Sequence, residues 1–279
     1  MFASEFMTSL VYVVGPEDNL SHVRNEMLKH KISRCPVMDG GTLVGIITKK
    51  DLAWRLRQTE PVWRRRPIDH IPVRVVMETD LVTISGESDL HECASLMVEH
   101  DISGLPVIEE GDIVGIVTKS DILNSEYVSD LSLSVDDLMG PAETLSRYHS
   151  LDHVIDIMSD QNGKIVVVNN DGTLAGIITE SNVALFTYAN KRTALPGRDV
   201  TFLRKNESAG RKQNRYVMDV VAVAEDVMSR PVITIGSEAI VSDAVRLMIE
   251  HHINSIVVTD DGDLKGIISR DDIIQEVAK

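Results

Sequence analysis

The chain has 279 residues, 43% of them hydrophobic and 4% aromatic, enough apolar surface for more than one folded core. Its formal net charge of −15 argues against a general surface for nucleic acid or anionic membrane, since phosphates would be repelled. Two cysteines, Cys35 and Cys93, without ligand spacing, exclude a disulfide framework and fit a reducing compartment. With no signal segment and no long apolar run, a cytoplasmic protein without a membrane span is expected.

The first elements set a pattern that recurs. Leu10 to Val14 is a short apolar run closed by Gly15-Pro16 and predicts a strand. Leu20, Val23 and Met27 follow at helical spacing. Cys35-Pro36-Val37-Met38, the turn Asp39-Gly40-Gly41 and Leu43 to Ile47 predict a hairpin, after which a second helix starts beyond Thr48. The unit is therefore strand, helix, strand, strand, helix.

Three more copies follow, and the self-similarity decides the architecture. Gly45-Ile46-Ile47-Thr48-Lys49-Lys50-Asp51 is matched by Gly115 to Asp121, Gly176 to Asn182 and Gly266 to Asp272. Before each of these glycines, at constant spacing, stands a helix methionine: Met27, Met97, Met158 and Met248. A further methionine heads each unit, at positions Met7, Met77, Met139 and Met228. The helices of the later copies repeat the apolar spacing at Leu90 and Cys93, Leu151 and Val154, and Val241 and Ala244; the later turns are Glu110-Gly111, Asp171-Gly172 and Asp261-Gly262. A stripe of this kind is ordinary core packing.

One unit buries too little apolar surface to stand comfortably alone, so neighbours should pack together, and four units most simply form two pairs. The connection between the third and fourth copies is the longest. Its span Lys191 to Arg215 carries eight Lys or Arg against Asp199 and Glu207. A connection of that length is uncommon in a compact domain unless it has a function of its own or is disordered.

Thr-x-x-Asp at the start of a helix is a capping arrangement, with the hydroxyl accepting from an orphan N–H and the acid in the first turn. The same helix end presents N–H groups and a positive dipole to an anion such as phosphate. Capping and ligand binding are compatible, because one hydroxyl can serve both.

The repeated G-h-h-T-x-x-D motif, four times at a fixed distance from an amphipathic helix, resembles the CBS domain, the repeat first described in cystathionine β-synthase. The resemblance covers nearly the whole chain outside the long third connection and parts of the first linker. It implies an α+β fold of tandem CBS repeats packed as two Bateman modules in a disc-like arrangement, similar to the gamma subunit of AMP-activated protein kinase. The expected modules are 1–124, with repeats at about 7–58 and 77–124, and 125–279, with repeats at about 139–188 and 228–279 and a basic insertion at 189–220.

The family's ribose-binding acid falls at Asp51, Asp121 and Asp272, and at Asn182 in the third copy, which keeps an acceptor but loses the charge. The hydroxyl beside the phosphate falls at Thr48, Thr118, Thr179 and Ser269. Of the family's basic phosphate ligands ahead of the second strand, Arg34 and Lys164 remain, while the matching positions of copies two and four are Ser103-Gly104 and Asn254-Ser255. Lys49, Lys50 and Lys119 add positive charge to the first pair. In the second pair Glu180 and Asp271 oppose Lys164 and Arg270, so phosphate-rich ligands should prefer the first pair. Segments such as Cys35-Pro36-Val37 and Leu105-Pro106-Val107 offer an apolar slot for adenine.

The function implied is a non-catalytic sensor of AMP, ADP or ATP, needing no cofactor, whose state a protein partner or a second copy reads. S-adenosylmethionine is the alternative ligand. Catalytic motifs are absent: no H-E-x-x-H, G-x-S-x-G or phosphate-binding P-loop occurs, and the nine histidines are scattered. The rival reading is a nucleic-acid-binding regulator using 191–215 with Phe202 and Tyr216, or Trp63 with Arg64-Arg65-Arg66.

Overall fold

The computed structural model describes residues 1–56, 68–160, 163–183 and 222–279. The basic insertion at 189–220 and the run Arg64-Arg65-Arg66 lie outside the described residues.

Each copy builds the same core unit. In the first, the helix Leu20–Lys29 starts at Asn19, whose side chain accepts from the His22 N–H at 2.8 Å. The helix packs through Leu20, Val23 and Met27 onto the hairpin Arg34–Asp39 and Thr42–Thr48, whose Cys35, Val37 and Ile47 are fully buried. The second copy repeats this with Leu90–Glu99, Gly104–Glu109 and Asp112–Thr118, and the fourth with Val241–Glu250, Ser255–Asp260 and Asp263–Ser269. The third has Leu151–Asp160, Lys164–Val168 and Leu174–Thr179. Tight hairpins need two residues with φ > 0, and Glu110-Gly111 (51° and 96°) and Asp261-Gly262 (50° and 90°) supply them.

The first strand of the unit is shorter than its apolar run predicts. Leu10 is 68% exposed, and of the span 10–14 only Val14 pairs, in parallel, with Val37. Ile84 pairs likewise with Val107, whereas in copies three and four short strands form at Thr144–Ser146 and Thr234–Ile235. Just two backbone hydrogen bonds fasten Val14, its N–H donating to the Pro36 carbonyl and its carbonyl accepting from the Met38 N–H.

The segment around each head methionine packs not on its own hairpin but on that of another copy. Thr8 bridges Ile116 and Glu78 bridges Ile46, so copies one and two exchange lead segments reciprocally; Gly140 bridges Ile267 and Ser229 bridges Ile177 in the same way. The motif glycine makes this close approach feasible. A Cβ on Gly115 would stand 2.3 Å from Met7 Sδ, on Gly45 2.6 Å from Met77 Sδ, and on Gly266 2.5 Å from the Gly140 carbonyl oxygen.

The chain divides into two compact units, residues 1–142 with 231–279, and residues 143–230. In the first, one core runs through copies two and four, from Leu90, Cys93 and Met97 to Val241, Met248 and Ile274. The helix Arg270–Val277 is the seam: it lies against Leu90–Glu99 and Lys119–Leu123, and its Val277 carbonyl meets His91 Nδ1 at 2.7 Å. The second unit has its own core around Val154, Ile165, Ile178 and Ala224.

Candidate functional site

All four Thr-x-x-Asp motifs are caps. Asp51 Oδ2 accepts from the Thr48 N–H at 2.7 Å and its hydroxyl at 2.6 Å; Asp121 Oδ2 does the same with Thr118 at 2.7 and 2.6 Å, and Asp272 Oδ2 with Ser269 at 2.7 and 2.7 Å. In the second unit Asn182 Oδ1 accepts from Thr179 at 2.9 and 2.8 Å. The cap therefore occupies one carboxylate oxygen and leaves Oδ1 for another donor. At Asp121 that donor is the Thr8 hydroxyl, 3.2 Å away and delivered by the exchanged lead segment.

The N-terminus of Lys119–Leu123 is surrounded by cations from three copies. Arg34, the first residue of its strand, reaches across to Ser103 Oγ with Nη2 at 2.5 Å. Arg270, from copy four, reaches Ser120 Oγ with Nη1 at 2.5 Å, and Lys119 Nζ lies 2.7 Å from Asp271 Oδ1. The Nε atoms of Arg34 and Arg270 are both sealed from solvent without a hydrogen-bond partner. Burial pushes the Arg34 guanidinium down to about 10, with Asp121 opposing the shift and Arg270 adding to it. At neutral pH it stays charged. Burial also lowers Arg270, against the pull of Asp271, and lowers Lys49, with Arg34 as the second cause.

Each of the two guanidiniums thus keeps a buried donor unused, and leaving such a donor unpaired costs about 1–3 kcal/mol. Carboxylate and phosphate oxygens match the planar fork of an arginine.

The sequence-predicted residues divide accordingly. Arg34, Thr118, Lys119 and Asp121 are brought together, with Lys49 nearby through its coupling to Arg34. Lys50 instead points to the surface, 54% exposed and 3.8 Å from Asp101. Thr48 and Asp51 cap their own helix, as do Ser269 and Asp272, while Lys164, Thr179 and Asn182 belong to the second unit, where Asn182 Nδ2 donates to Ser229 Oγ at 2.9 Å. Arg270 differs from expectation. Sequence order put it in the second pair, opposed by Asp271; packing of its helix on Lys119–Leu123 carries it to Ser120 and turns Asp271 toward Lys119. Thr8, Ser103, Ser120 and Arg270 were not legible as site residues. The one signal for Thr8 was its place after a head methionine.

Among the described residues, no group of three or more His, Cys, Asp or Glu is placed to hold a metal ion, and no helix is long and apolar enough to cross a membrane.

Comparison with known proteins agrees with the repeat structure. The CBS domain model matches at residues 3–57, 65–127, 135–186 and 223–279. The CBS domain-containing protein YhcV of Bacillus subtilis is 32% identical over 116 residues, 42% of this chain and 79% of its own length. MJ1225 of Methanocaldococcus jannaschii is 34% identical over 128 residues, 43% of this chain and 45% of that protein. A 33.4 kDa protein of Thermofilum pendens is 25% identical over 96% of this chain and 88% of its own. The crystal structure of MJ1225, a protein proposed as an archaeal homologue of g-AMPK, superposes with a TM-score of 0.77 at 19% identity, covering 99% of both chains. The chain belongs to the CBS-domain family, with four copies of the domain.

Proposed function

We propose that this chain is a non-catalytic regulatory protein that binds an adenine nucleotide in the Asp121 half of the first pair of repeats. The ribose hydroxyls donate to Asp121 Oδ1 beside Thr8, and the phosphates take the unused donors of Arg34 and Arg270, with Lys49 and Lys119 adding positive charge. The observation that carries the reading is the pair of buried arginines with unpartnered Nε atoms. The proposed kinship of MJ1225 with g-AMPK supports it. It also ranks the ligands: AMP, ADP and ATP bring negative charge to this cluster, whereas S-adenosylmethionine brings a sulfonium and no phosphate. Because Arg270 comes from copy four, a bound phosphate ties that copy to the first pair, and a ligand that binds one arrangement better than another shifts the population a protein partner or second copy reads.

Calorimetry of the full chain against AMP, ADP, ATP, adenosine and S-adenosylmethionine tests this. The expected order places every phosphate-bearing ligand at least about tenfold tighter than adenosine, some 1.4 kcal/mol. Equal or tighter binding of S-adenosylmethionine would refute the phosphate assignment, and no heat with any of the five would refute the nucleotide reading.

A further inference from the structure

The residue after each head methionine differs in all four copies: Thr8, Glu78, Gly140 and Ser229. Each is held opposite a motif strand of another copy. Thr8 exchanges both backbone hydrogen bonds with Ile116 at 3.0 and 3.0 Å, and Glu78 both with Ile46 at 2.9 and 2.9 Å. Ile116 and Ile46 hold the same place in their motifs, two residues before Thr118 and Thr48. The Glu78 backbone thus stands to Ile46 and the Asp51 motif as the Thr8 backbone stands to Ile116 and the Asp121 motif. The consequence of that position is visible twice: Thr8 Oγ1 donates to Asp121 Oδ1 at 3.2 Å, and in the second unit Ser229 Oγ accepts from Asn182 Nδ2 at 2.9 Å. A small neutral hydroxyl therefore accompanies the ribose-facing acid or amide in two copies. In the first copy a carboxylate replaces it.

We infer that Glu78 excludes a nucleotide from the Asp51 half, so that the first pair of repeats takes one nucleotide, in the Asp121 half. The inference rests on the nucleotide reading above. A vicinal diol has two protons to donate, and Asp51 can accept both. Glu78 then adds a second negative charge with no proton to share, beside a ligand that is itself an anion. Its Oε1 is held by its own loop, accepting from the N–H groups of Thr79 at 2.8 Å and Asp80 at 2.9 Å, which brings Asp80 into the same turn. Of the cations, Lys49 stands in the same motif as Asp51, half-buried beside Arg34. Arg34 reaches Ser103, Arg270 reaches Ser120, and Lys50 lies at the surface toward Asp101.

The test counts sites in the full chain by equilibrium dialysis with AMP, with thermal melts to verify folding. Glu78→Thr is expected to bind one more AMP per chain than the parent, and Glu78→Thr with Asp51→Ala is expected to lose that extra site. Glu78→Gln, which keeps the size and removes the charge, should also gain it, with at least a tenfold rise in affinity at the new site over any residual binding there. An unchanged count in a folded Glu78→Thr protein overturns the inference while leaving the nucleotide reading intact. A gain with Thr but not with Gln overturns the charge argument. No AMP bound by the parent or by Glu78→Thr overturns the nucleotide reading, and this inference falls with it.

Discussion

The Arg34 side chain lies so close to Gly104 that a Cβ there would stand 2.8 Å from Cδ, Nε and Nη1 alike. The two residues hold the same position in copies one and two, each opening the strand that pairs with a motif threonine. Their difference breaks the symmetry of the pair: one copy supplies the guanidinium and the other supplies the room for it. Gly104→Ala should displace Arg34 and weaken AMP or ATP binding by about tenfold, or 1.4 kcal/mol. Calorimetry against the parent checks this; unchanged affinity would place the phosphate elsewhere.

Arg34→Met keeps much of the side-chain volume and removes a buried charge that lacks a full set of partners. Replacement of buried ionic groups by apolar ones of similar volume is often neutral or stabilising, by about 1–4 kcal/mol. The ligand-free variant should therefore melt at or above the parent temperature while losing most of its nucleotide affinity. A loss of stability without ligand would show that Arg34 serves the fold.

Asp121 combines two roles that one substitution can separate. Asp121→Ala removes the carboxylate half of the capping box around Thr118, a feature worth about 0.3–1.5 kcal/mol, and a charged acceptor worth about 1.5–3 kcal/mol to a hydroxyl donor. Asp121→Asn keeps an acceptor toward Thr118, as Asn182 does toward Thr179. The expected result is near-parent stability for Asn, reduced stability for Ala, and weakened nucleotide binding for both. Urea titration and calorimetry on the same samples distinguish the roles.

The exchanged lead segments should be sensitive to volume at the motif glycines. At Gly266 a new Cβ meets the Gly140 carbonyl oxygen at 2.5 Å, and backbone cannot rotate away as a side chain can. At Gly115 all the nearest atoms belong to the flexible Met7, while at Gly45 the Met77 side chain is joined by the Glu78 carbonyl oxygen at 3.0 Å. Gly266→Ala should destabilise by about 1–3 kcal/mol, the usual range for overpacking, and more than Gly115→Ala. Denaturant midpoints rank them.

The two thiols should be silent in the native state. Burial, aided by Glu26, pushes Cys35 up to about 11; burial, aided by Glu92 and Asp89, pushes Cys93 up to about 12. Since the thiolate is the reactive form, neither should react with a thiol reagent at pH 8 until the chain unfolds. A group whose neutral form is favoured by folding contributes fully below its unfolded value of 9.0 and withdraws that stability as pH climbs toward the folded value. The thiol contribution to stability should therefore decline from pH 9 upward, and Cys35→Ala should remove its own part of that decline; rapid labelling of the folded protein at pH 8 would contradict the burial.

The repeat, its helix-then-hairpin order and the capping chemistry are legible in the chain because each is local; the first strand is the exception, reduced to a single bridge in copies one and two. The spacing of Leu20, Val23 and Met27, the Gly-containing turns and the Thr-x-x-Asp cap act within a few residues of chain, so hydrogen bonding and side-chain periodicity suffice to specify them. The candidate residues Arg34, Thr118, Lys119 and Asp121 came instead from the resemblance to the CBS repeat, position by position. Which copies meet is a matter of long-range packing. Thr8 reaches Asp121 through an exchanged lead segment, and Arg270 reaches Ser120 because the helix Arg270–Val277 buries its apolar face against copy two. Such contacts join residues more than a hundred positions apart, and no periodicity records them. They follow from how apolar surfaces are shared among four nearly equivalent units, a competition settled by the whole packed core and not by any one motif.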